Sequence, residues 1–348
     1  MTPIDVSYVV AAHDAAETLE PAVRSALAQQ DAAVEVIVVD DASRDATSAI
    51  AARLAAADPR VRALSRAANG GPSAARNDGI AAARGRFVGV LDADDALEPR
   101  RTRTLLDLAA LTGAEIVADD LLRLDARGAV ASRALPEGPT AYAVVLDPAA
   151  YCRDNVPMER GFGSGYLKPL FARDFLAAAG LAYDPRVRVG EDFLFCLEAM
   201  LAGARYIATS QAGYRYAARP GSLSHRIGPE RIDALACGLD RLAERRADAV
   251  AARDLAPALA AYRAGLARAR AYLDVAETAK TRGFLRAAAR AGRDPSVWGL
   301  TARFGAGIAA TRLRRALAAR GAGNPAAREG VRTPDAPPRP EERKHDAA

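Results

Sequence analysis

Two groups of carboxylates stand directly after runs of apolar, largely β-branched residues, and this placement limits the folds open to the chain. Asp40 and Asp41 follow one such run, and Asp92, Asp94 and Asp95 follow another. Short continuous apolar runs predict buried strands of a parallel sheet. Both acidic groups are therefore expected at the carboxyl edge of one sheet, where open α/β sheets bind their ligands.

The order of the predicted elements indicates an α/β fold with a mostly parallel sheet flanked by helices. Strand and helix patterns alternate from residue 4 to about residue 125, and Ser73 is predicted to cap one of the helices. The chain is predicted to divide into an α/β domain at 1–228, a helical C-terminal extension at 229–320 and a disordered tail at 321–348. The tail is rich in proline, glycine and charge, a composition that cannot bury a core.

Composition excludes several classes of protein. The formal net charge of +5 could draw the chain to nucleic acid or anionic lipid, but a generally basic surface explains it equally, and no nucleic-acid partner is expected. Three cysteines lie far apart, which excludes a disulfide framework or zinc site and favours buried or inert thiols: Cys152, Cys196 and Cys237. No secretory signal or long apolar segment occurs, so a cytoplasmic protein is expected.

The acidic sheet edge itself suggests a chemistry. Carboxylates repel an anionic ligand, so some of them are expected to clamp a divalent cation to a phosphate while others accept hydrogen bonds from a sugar or a base. The glycine patterns of dinucleotide-binding and P-loop proteins do not occur in the sequence. The usual dinucleotide and P-loop nucleotide sites are therefore excluded.

Five segments, in their order along the chain, resemble the family 2 glycosyltransferases, which have the GT-A fold. The resemblance covers roughly residues 4 to 228. The segments are 6–14, 38–47, 71–79, 91–95 and 190–192. The resemblance implies an inverting enzyme that transfers a sugar from a nucleotide-sugar donor, expected to be UDP-linked, to a saccharide or lipid-linked saccharide acceptor.

The resemblance also implies which residues bind the donor. Ala11 and His13 lie in the loop that touches the nucleotide base, and Ala11 replaces a proline that is frequent there. Asp40 matches the carboxylate that accepts hydrogen bonds from uracil or ribose, with Asp41 beside it. Arg76 matches a basic residue that reaches the base or the diphosphate; the alternative is an arginine that only covers the edge of the sheet.

The Asp92-Ala93-Asp94 unit resembles the metal motif of the family. Residues two apart in an extended chain point the same way, so Asp92 would face the ribose or the metal and Asp94 would bind the cation, Mg²⁺ or Mn²⁺. Asp95 is expected to support the loop. Asp192 would be the general base that deprotonates the acceptor hydroxyl, with Glu191 beside it. Without the resemblance, both acids are explained by the first turn of a helix, where negative charge is favoured.

Other candidates carry alternatives that the sequence leaves open. Arg215, Ser222 and His225 match a segment that closes over the diphosphate in related enzymes, but a plain strand and turn explains them equally. Lys168 lies where acceptor loops occur, although a solvated lysine is favoured. The stretch 295–320 mixes apolar residues with arginines, which suits either peripheral contact with an anionic inner membrane or packing against the catalytic domain.

Two other functions remain as alternatives to glycosyl transfer. A sugar-nucleotide nucleotidyltransferase also places metal-binding aspartates on an α/β sheet, but it would normally show a glycine-rich, basic phosphate loop near the first strand, which the stretch 11–17 lacks. A nucleotide-sugar-binding scaffold without turnover is the other, since a fold does not prove an activity.

Overall fold

The apolar runs form the centre of one sheet. The computed structural model describes residues 3–125, 127–138, 140–159, 163–217 and 228–303. The first four strands pair in parallel in the order β3-β2-β1-β4, and every residue of β2 is buried. They are β1 (Val6–Ala12), β2 (Val34–Asp40), β3 (Val61–Ser65) and β4 (Phe87–Val90). The predicted parallel arrangement of the first half is confirmed.

The second half of the sheet is mixed. The order continues β9-β6-β10-β5, in which β9 runs antiparallel to both β4 and β6, while β10 is parallel to β6 and antiparallel to β5. Two short strands pair at the side, β7 with β6 and β8 with β10. These strands are β5 (Ala96–Leu97), β6 (Ile116–Leu124), β7 (Val130–Arg133), β8 (Ala143–Val145), β9 (Leu170–Ala172) and β10 (Tyr206–Ala217).

Helices cover both faces of the parallel half, because alternate strand residues point to opposite sides. On one side Val9, Ile37 and Val88 pack with Ala75 of α3. The opposite face belongs to the larger core, which includes residues of α1 and α2. The helices of this half are α1 (Leu19–Leu27), α2 (Thr47–Ala57), α3 (Pro72–Ala82) and α4 (Arg101–Thr112).

The start of α3 differs from the prediction. Gly71, not Ser73, is the cap residue, and Pro72 occupies the first turn, where its fixed φ suits a helix. Gly71 has φ +82°, a value that side-chain-bearing residues rarely adopt. The Ser73 hydroxyl instead donates a hydrogen bond to the carbonyl oxygen of Val187, 2.8 Å away. Ser73 therefore ties α3 to the loop that precedes α7.

The rest of the described chain is largely helical, as the sequence predicts. Tyr262 of α10 stacks on Phe193 of α7 with ring centroids 4.5 Å apart, and Phe193 stacks on Tyr151 of α5 at 5.1 Å. These helices are α5 (Pro148–Asp154), α6 (Arg173–Ala178), α7 (Glu191–Leu201), α8 (Pro229–Arg245), α9 (Ala247–Ala252), α10 (Ala256–Arg282) and α11 (Phe284–Arg293).

Residues Met1–Val297 form one compact unit and Trp298–Ala348 a second, of which only 298–303 belong to the described residues. The predicted boundary at residue 228 stays a prediction, and the predicted tail at 321–348 lies outside the described residues. Nowhere in the described ranges is there a helix with both the length and the apolar character needed to cross a bilayer.

The three cysteines have free thiols. Cys152 and Cys196 are buried, as expected, and burial raises the pKa of Cys152 to about 12. Cys237 is exposed.

Candidate active site

A cleft of about 1220 Å³ opens beyond the carboxyl ends of β1, β2 and β4. Its wall also includes residues before β9, residues at the start of α7 and residues of α8 and α10. Nine of the predicted site residues line it: Ala11, His13, Asp41, Arg76, Asp92, Asp94, Lys168, Glu191 and Asp192. The cleft thus brings together segments that lie more than 150 residues apart in the sequence.

Five candidates are not part of this wall or cannot be described. Asp40, Asp95 and Arg215 are not among the lining residues. Arg215 of β10 instead forms an ion pair with Glu98 at 2.9 Å, in agreement with the alternative of a plain strand. Ser222 and His225 lie outside the described residues.

The loops after β1 and β2 hold each other in place. The backbone N–H of Asp14 donates to the Ser43 hydroxyl at 3.0 Å, and the Arg44 N–H donates to the Asp14 carboxylate at 2.8 Å. A ring nitrogen of His13 lies 2.9 Å from the carbonyl oxygen of Asp41. The two loops therefore form one rim of the cleft, with His13 on its surface.

Asp40 and Asp41 are both buried, and both carboxylates bind backbone N–H groups. Asp40 accepts a hydrogen bond from the Ser43 N–H at 3.2 Å, which places its carboxylate within its own loop. Asp41 accepts from the N–H groups of Gly70 and Gly71 at 2.9 and 2.7 Å, and Arg66 lies 3.0 Å away. Asp41 thus fixes the turn that starts α3.

Arg76 of α3 lies at the centre of a buried charge cluster. Its guanidinium contacts Asp92 at 2.9 Å, Glu191 at 2.7 Å and Asp192 at 3.1 Å. Burial opposes its charge, but the three carboxylates hold the pKa of Arg76 well above its usual range. The alternative that Arg76 only covers the edge of the sheet does not hold, because its guanidinium contacts acids from two distant segments. Its expected role toward the base or the diphosphate stays a prediction.

Lys168 contacts two of the same acids. Its ammonium group lies 2.8 Å from Asp92 and 2.6 Å from Asp192, and the residue is only 8% exposed. The expectation of a solvated lysine is therefore wrong. The physical reason is the short strand β9, which begins two residues after Lys168 and places the chain between β4 and β6.

The charges around α7 determine which acids are ionised. Burial alone would raise the pKa of Asp192, but Arg76 and Lys168 outweigh burial and hold it below its usual range. Glu191 behaves differently, because burial and the neighbouring charge of Asp192 raise its pKa despite Arg76. Asp192 is therefore ionised at neutral pH.

The loop that carries the metal motif is held by hydrogen bonds to β10. Asp95 accepts hydrogen bonds from the Tyr214 hydroxyl and the Ala217 N–H, each at 2.8 Å. The Tyr214 hydroxyl in turn accepts one from the Asp92 N–H at 3.1 Å. Burial, together with repulsion from Asp92 and Asp94, raises the pKa of Asp95 well above its usual range. Asp95 thus contributes to the position of the loop while Asp94 borders the cleft.

The side chains available as ligands limit what kind of metal site is possible. Within the described ranges, no group of three or more His, Cys, Asp or Glu side chains is arranged to hold a metal ion by itself. Asp92 and Asp94 both border the cleft and offer hard oxygen ligands. Two carboxylates are too few to fill the coordination sphere of a divalent cation. Asp92 and Asp94 would therefore fit a Mg²⁺ or Mn²⁺ ion if a diphosphate and water supplied its other ligands.

The sequence reasoning missed several residues of the site. Tyr183 donates a hydrogen bond to Asp192 at 3.1 Å, Tyr214 supports Asp92, and Arg66 pairs with Asp41. No motif marks any of the three. The contact of Lys168 did have a signal, since the chain contains only three lysines among its 48 basic residues.

Comparison with known proteins shows which family the chain resembles. The model of the family "Glycosyl transferase family 2" matches residues 7–141. Succinoglycan biosynthesis protein ExoO of Rhizobium meliloti (strain 1021) is 39% identical over 294 residues, which cover 84% of this chain and 82% of ExoO. Succinoglycan biosynthesis protein ExoU of the same strain is 36% identical over 225 residues, 64% of each chain.

Solved structures share the fold. Crystal structures of S. aureus TarS 1-349 match with a TM-score of 0.51 in complex with UDP and 0.55 in complex with UDP-GlcNAc. Identity is 20% and 19%, and each match covers 68% of this chain, with 65% and 66% of the TarS chain. At this identity the likeness shows the fold alone, which is GT-A.

The fold, the order of the site segments and the similarity to ExoO over most of both chains all lead to one assignment. The protein is a glycosyltransferase that belongs to family 2.

Proposed function

We propose that the protein is an inverting glycosyltransferase that moves a sugar from a UDP-sugar to a saccharide or lipid-linked saccharide acceptor, in the synthesis of a bacterial polysaccharide. One observation carries the proposal: the carboxylates of Asp92 and Asp192 border the same cleft and share two cations, Arg76 and Lys168. The names of ExoO and ExoU support a polysaccharide product, and the UDP complexes of TarS support the nucleotide.

On the donor side, this chain supplies a rigid rim and acidic ligands. The loops after β1 and β2 would hold the nucleoside, with His13 and Ala11 against the base. Mg²⁺ or Mn²⁺ held by Asp94 and Asp92 would offset the negative charge that develops on the departing diphosphate. Tyr214 and Asp95 keep the loop of Asp92 in place, so these ligands need little rearrangement.

On the acceptor side, Asp192 would take the proton of the attacking hydroxyl. The hydroxyl oxygen forms a bond to the anomeric carbon while the bond from that carbon to the phosphate oxygen breaks, and the nucleoside diphosphate leaves with the electron pair. The proton moves to a carboxylate oxygen of Asp192. A single displacement from the face opposite the leaving group inverts the anomeric configuration.

The test is release of UDP from a panel of UDP-sugars by the purified protein, with and without Mn²⁺ and with oligosaccharide acceptors. We expect Asp94→Ala to abolish metal-dependent release, because the cation loses a ligand in the cleft. Asp248→Ala is the matched control, since Asp248 is an exposed acid of α9. Unchanged release by the Asp94 variant would overturn the metal role, and pyrophosphate release from a nucleoside triphosphate would indicate a nucleotidyltransferase.

We also propose that the corner between α10 and α11 contacts an anionic membrane surface. Phe284 and Leu285 at this corner are 78% and 84% exposed. Four arginines and no acid occur from residue 282 to 293: Arg282, Arg286, Arg290 and Arg293. Exposed apolar side chains flanked by positive charge match a bilayer that carries anionic lipid. The stretch 295–320, for which the sequence suggested membrane contact, lies largely outside the described residues.

Sedimentation with phosphatidylglycerol vesicles tests this contact. We expect the double variant Phe284→Ser, Leu285→Ser to lose at least half of the vesicle-bound fraction, and neutral phosphatidylcholine vesicles to bind little of either protein. Leu111→Ser is the matched control, because Leu111 of α4 is 85% exposed. Equal binding by the double variant and the wild type would exclude this corner as the contact.

A further inference from the structure

Lys168 and Arg76 together close a ring of charges across the cleft. Arg76 contacts one oxygen of Asp92 and one oxygen of Asp192, and the Lys168 ammonium contacts the remaining oxygen of each. The two carboxylates come from segments about 100 residues apart, the loop after β4 and the first turn of α7. Each acid is therefore oriented at both of its oxygens.

The backbone of Lys168 is itself fixed. Its carbonyl oxygen accepts a hydrogen bond from Arg101, which is buried and pairs with Asp119. Pro169 follows directly and restricts the backbone of Lys168 to an extended conformation. The ammonium therefore extends from an anchored point of the backbone.

The residue type matters at this position. Almost every cation of this chain is an arginine, and Lys168 is one of three lysines. Both cation types bridge acids in this cluster, since Arg76 contacts three carboxylates. An ammonium, however, is a compact point charge that acids can approach from different sides, whereas a guanidinium is a planar fork. An ammonium suits the space between Asp92 and Asp192, where two separate carboxylates converge.

We propose that Lys168 is a positioning residue that aims the Asp192 carboxylate at the acceptor hydroxyl and couples it to Asp92 on the donor side. This rests on the proposed function, in which Asp192 accepts the proton. Lys168 occupies one oxygen of Asp192, and Tyr183 with Arg76 occupies the other. With both oxygens held, the carboxylate keeps one orientation, which proton transfer at hydrogen-bond distance requires.

Steady-state kinetics of Lys168→Met and Lys168→Arg test the proposal. We expect Lys168→Met to lower kcat for transfer at least tenfold, with KM for the donor within about threefold of wild type. Lys168→Arg should recover part of kcat, because its guanidinium keeps the positive charge. Tyr183→Phe removes one hydrogen bond from Asp192 without touching Asp92, and it should lower kcat by a smaller factor. Lys280→Met, at an exposed lysine of α10, is the matched control.

The Asp192→Asn background separates positioning from a structural role. If Lys168 acts through Asp192, Lys168→Met should change the residual rate of Asp192→Asn less than twofold. The same fold-loss in both backgrounds, or a donor KM that rises as much as kcat falls, would overturn the proposal. Should Lys168→Met fail to fold, which thermal unfolding reveals, Lys168→Arg and Tyr183→Phe provide the same comparison. Full transfer by Asp192→Asn alone would instead refute the proposed function.

Discussion

Asp41 and Asp92 both follow a buried parallel strand, yet their carboxylates have different partners. Asp41 accepts hydrogen bonds from two backbone N–H groups in the turn before α3 and pairs with one side-chain cation, Arg66. Asp92 faces the side-chain cations Arg76 and Lys168. A backbone partner has no alternative position, whereas a side-chain cation can rearrange around a ligand. The same sequence pattern thus produces a carboxylate that holds a turn in place after β2 and a carboxylate that pairs with side-chain cations of the cleft after β4.

The charge cluster around Asp192 extends this contrast. Its partners Arg76, Lys168 and Tyr183 are all side chains, and the two cations hold the pKa of Asp192 below its usual range. By this comparison, substitutions at Asp192 should damage activity more than stability. Substitutions at Asp41 should do the reverse.

Asp192→Asn should have the largest effect on activity. The amide cannot accept the proton of the hydroxyl, so we expect kcat for transfer to fall by about 100-fold to 10,000-fold. Binding of UDP, measured by calorimetry, should change little because Asp192 borders the acceptor side in the proposed mechanism. Asp174→Asn, at an exposed acid of α6, is the control. Retention of more than a tenth of wild-type kcat would contradict the expectation that Asp192 contributes more to activity than to stability.

Asp41→Ala should have the largest effect on stability. The side chain is 3% exposed, and its loss leaves the N–H groups of Gly70 and Gly71 without their acceptor. Unsatisfied buried donors cost about 1–3 kcal/mol each, so we expect a decrease of about 2–4 kcal/mol in the free energy of unfolding. Urea denaturation measures it. A decrease below about 0.5 kcal/mol would show that the turn before α3 does not depend on this acid.

A smaller, pH-dependent effect on stability is expected from substitution of Asp184, a carboxylate that forms ion pairs with two arginines. It pairs with Arg186 at 2.8 Å and with Arg241 of α8 at 2.7 Å. Burial alone would raise the pKa of Asp184, but these two arginines outweigh burial and hold it well below its usual range. The resulting stability is present above the unfolded-state pKa of about 4 and is lost as pH falls through the folded-state value.

Asp184→Asn should therefore lower the free energy of unfolding by about 1 kcal/mol at pH 7 and by less at pH 3. Urea denaturation at the two pH values measures the difference. A loss that is the same at both pH values would mean that the charge of Asp184 does not contribute to stability. Backbone N–H partners would then be the more important stabilising contacts of such carboxylates.

The sequence predicted the parallel half of the sheet and its acidic edge because both depend on local patterns. The runs before Asp40 and Asp92 are apolar, and the acids follow them directly. It could not predict the position of β9, since a strand of three residues carries too little pattern to indicate which neighbours it pairs with.

The same limit applies to the side-chain partners in the cleft. Lys168 and Tyr183 reach Asp192 through the tertiary packing of β9 and α7, and no spacing in the sequence encodes that contact. Asp95 was different: it directly follows the metal motif, so its supporting role could be predicted from its position beside Asp94, and its contacts with Tyr214 and Ala217 agree with that role.

The stack of Tyr151, Phe193 and Tyr262 has a consequence for the proposed base. Phe193 is the residue next to Asp192, and its ring is sandwiched between a residue of α5 and one of α10. Truncation before Tyr262 would expose one face of the Phe193 ring to water and would remove a packing contact of α7. The helices that follow the sheet thus provide packing contacts for the start of α7, which carries the proposed base.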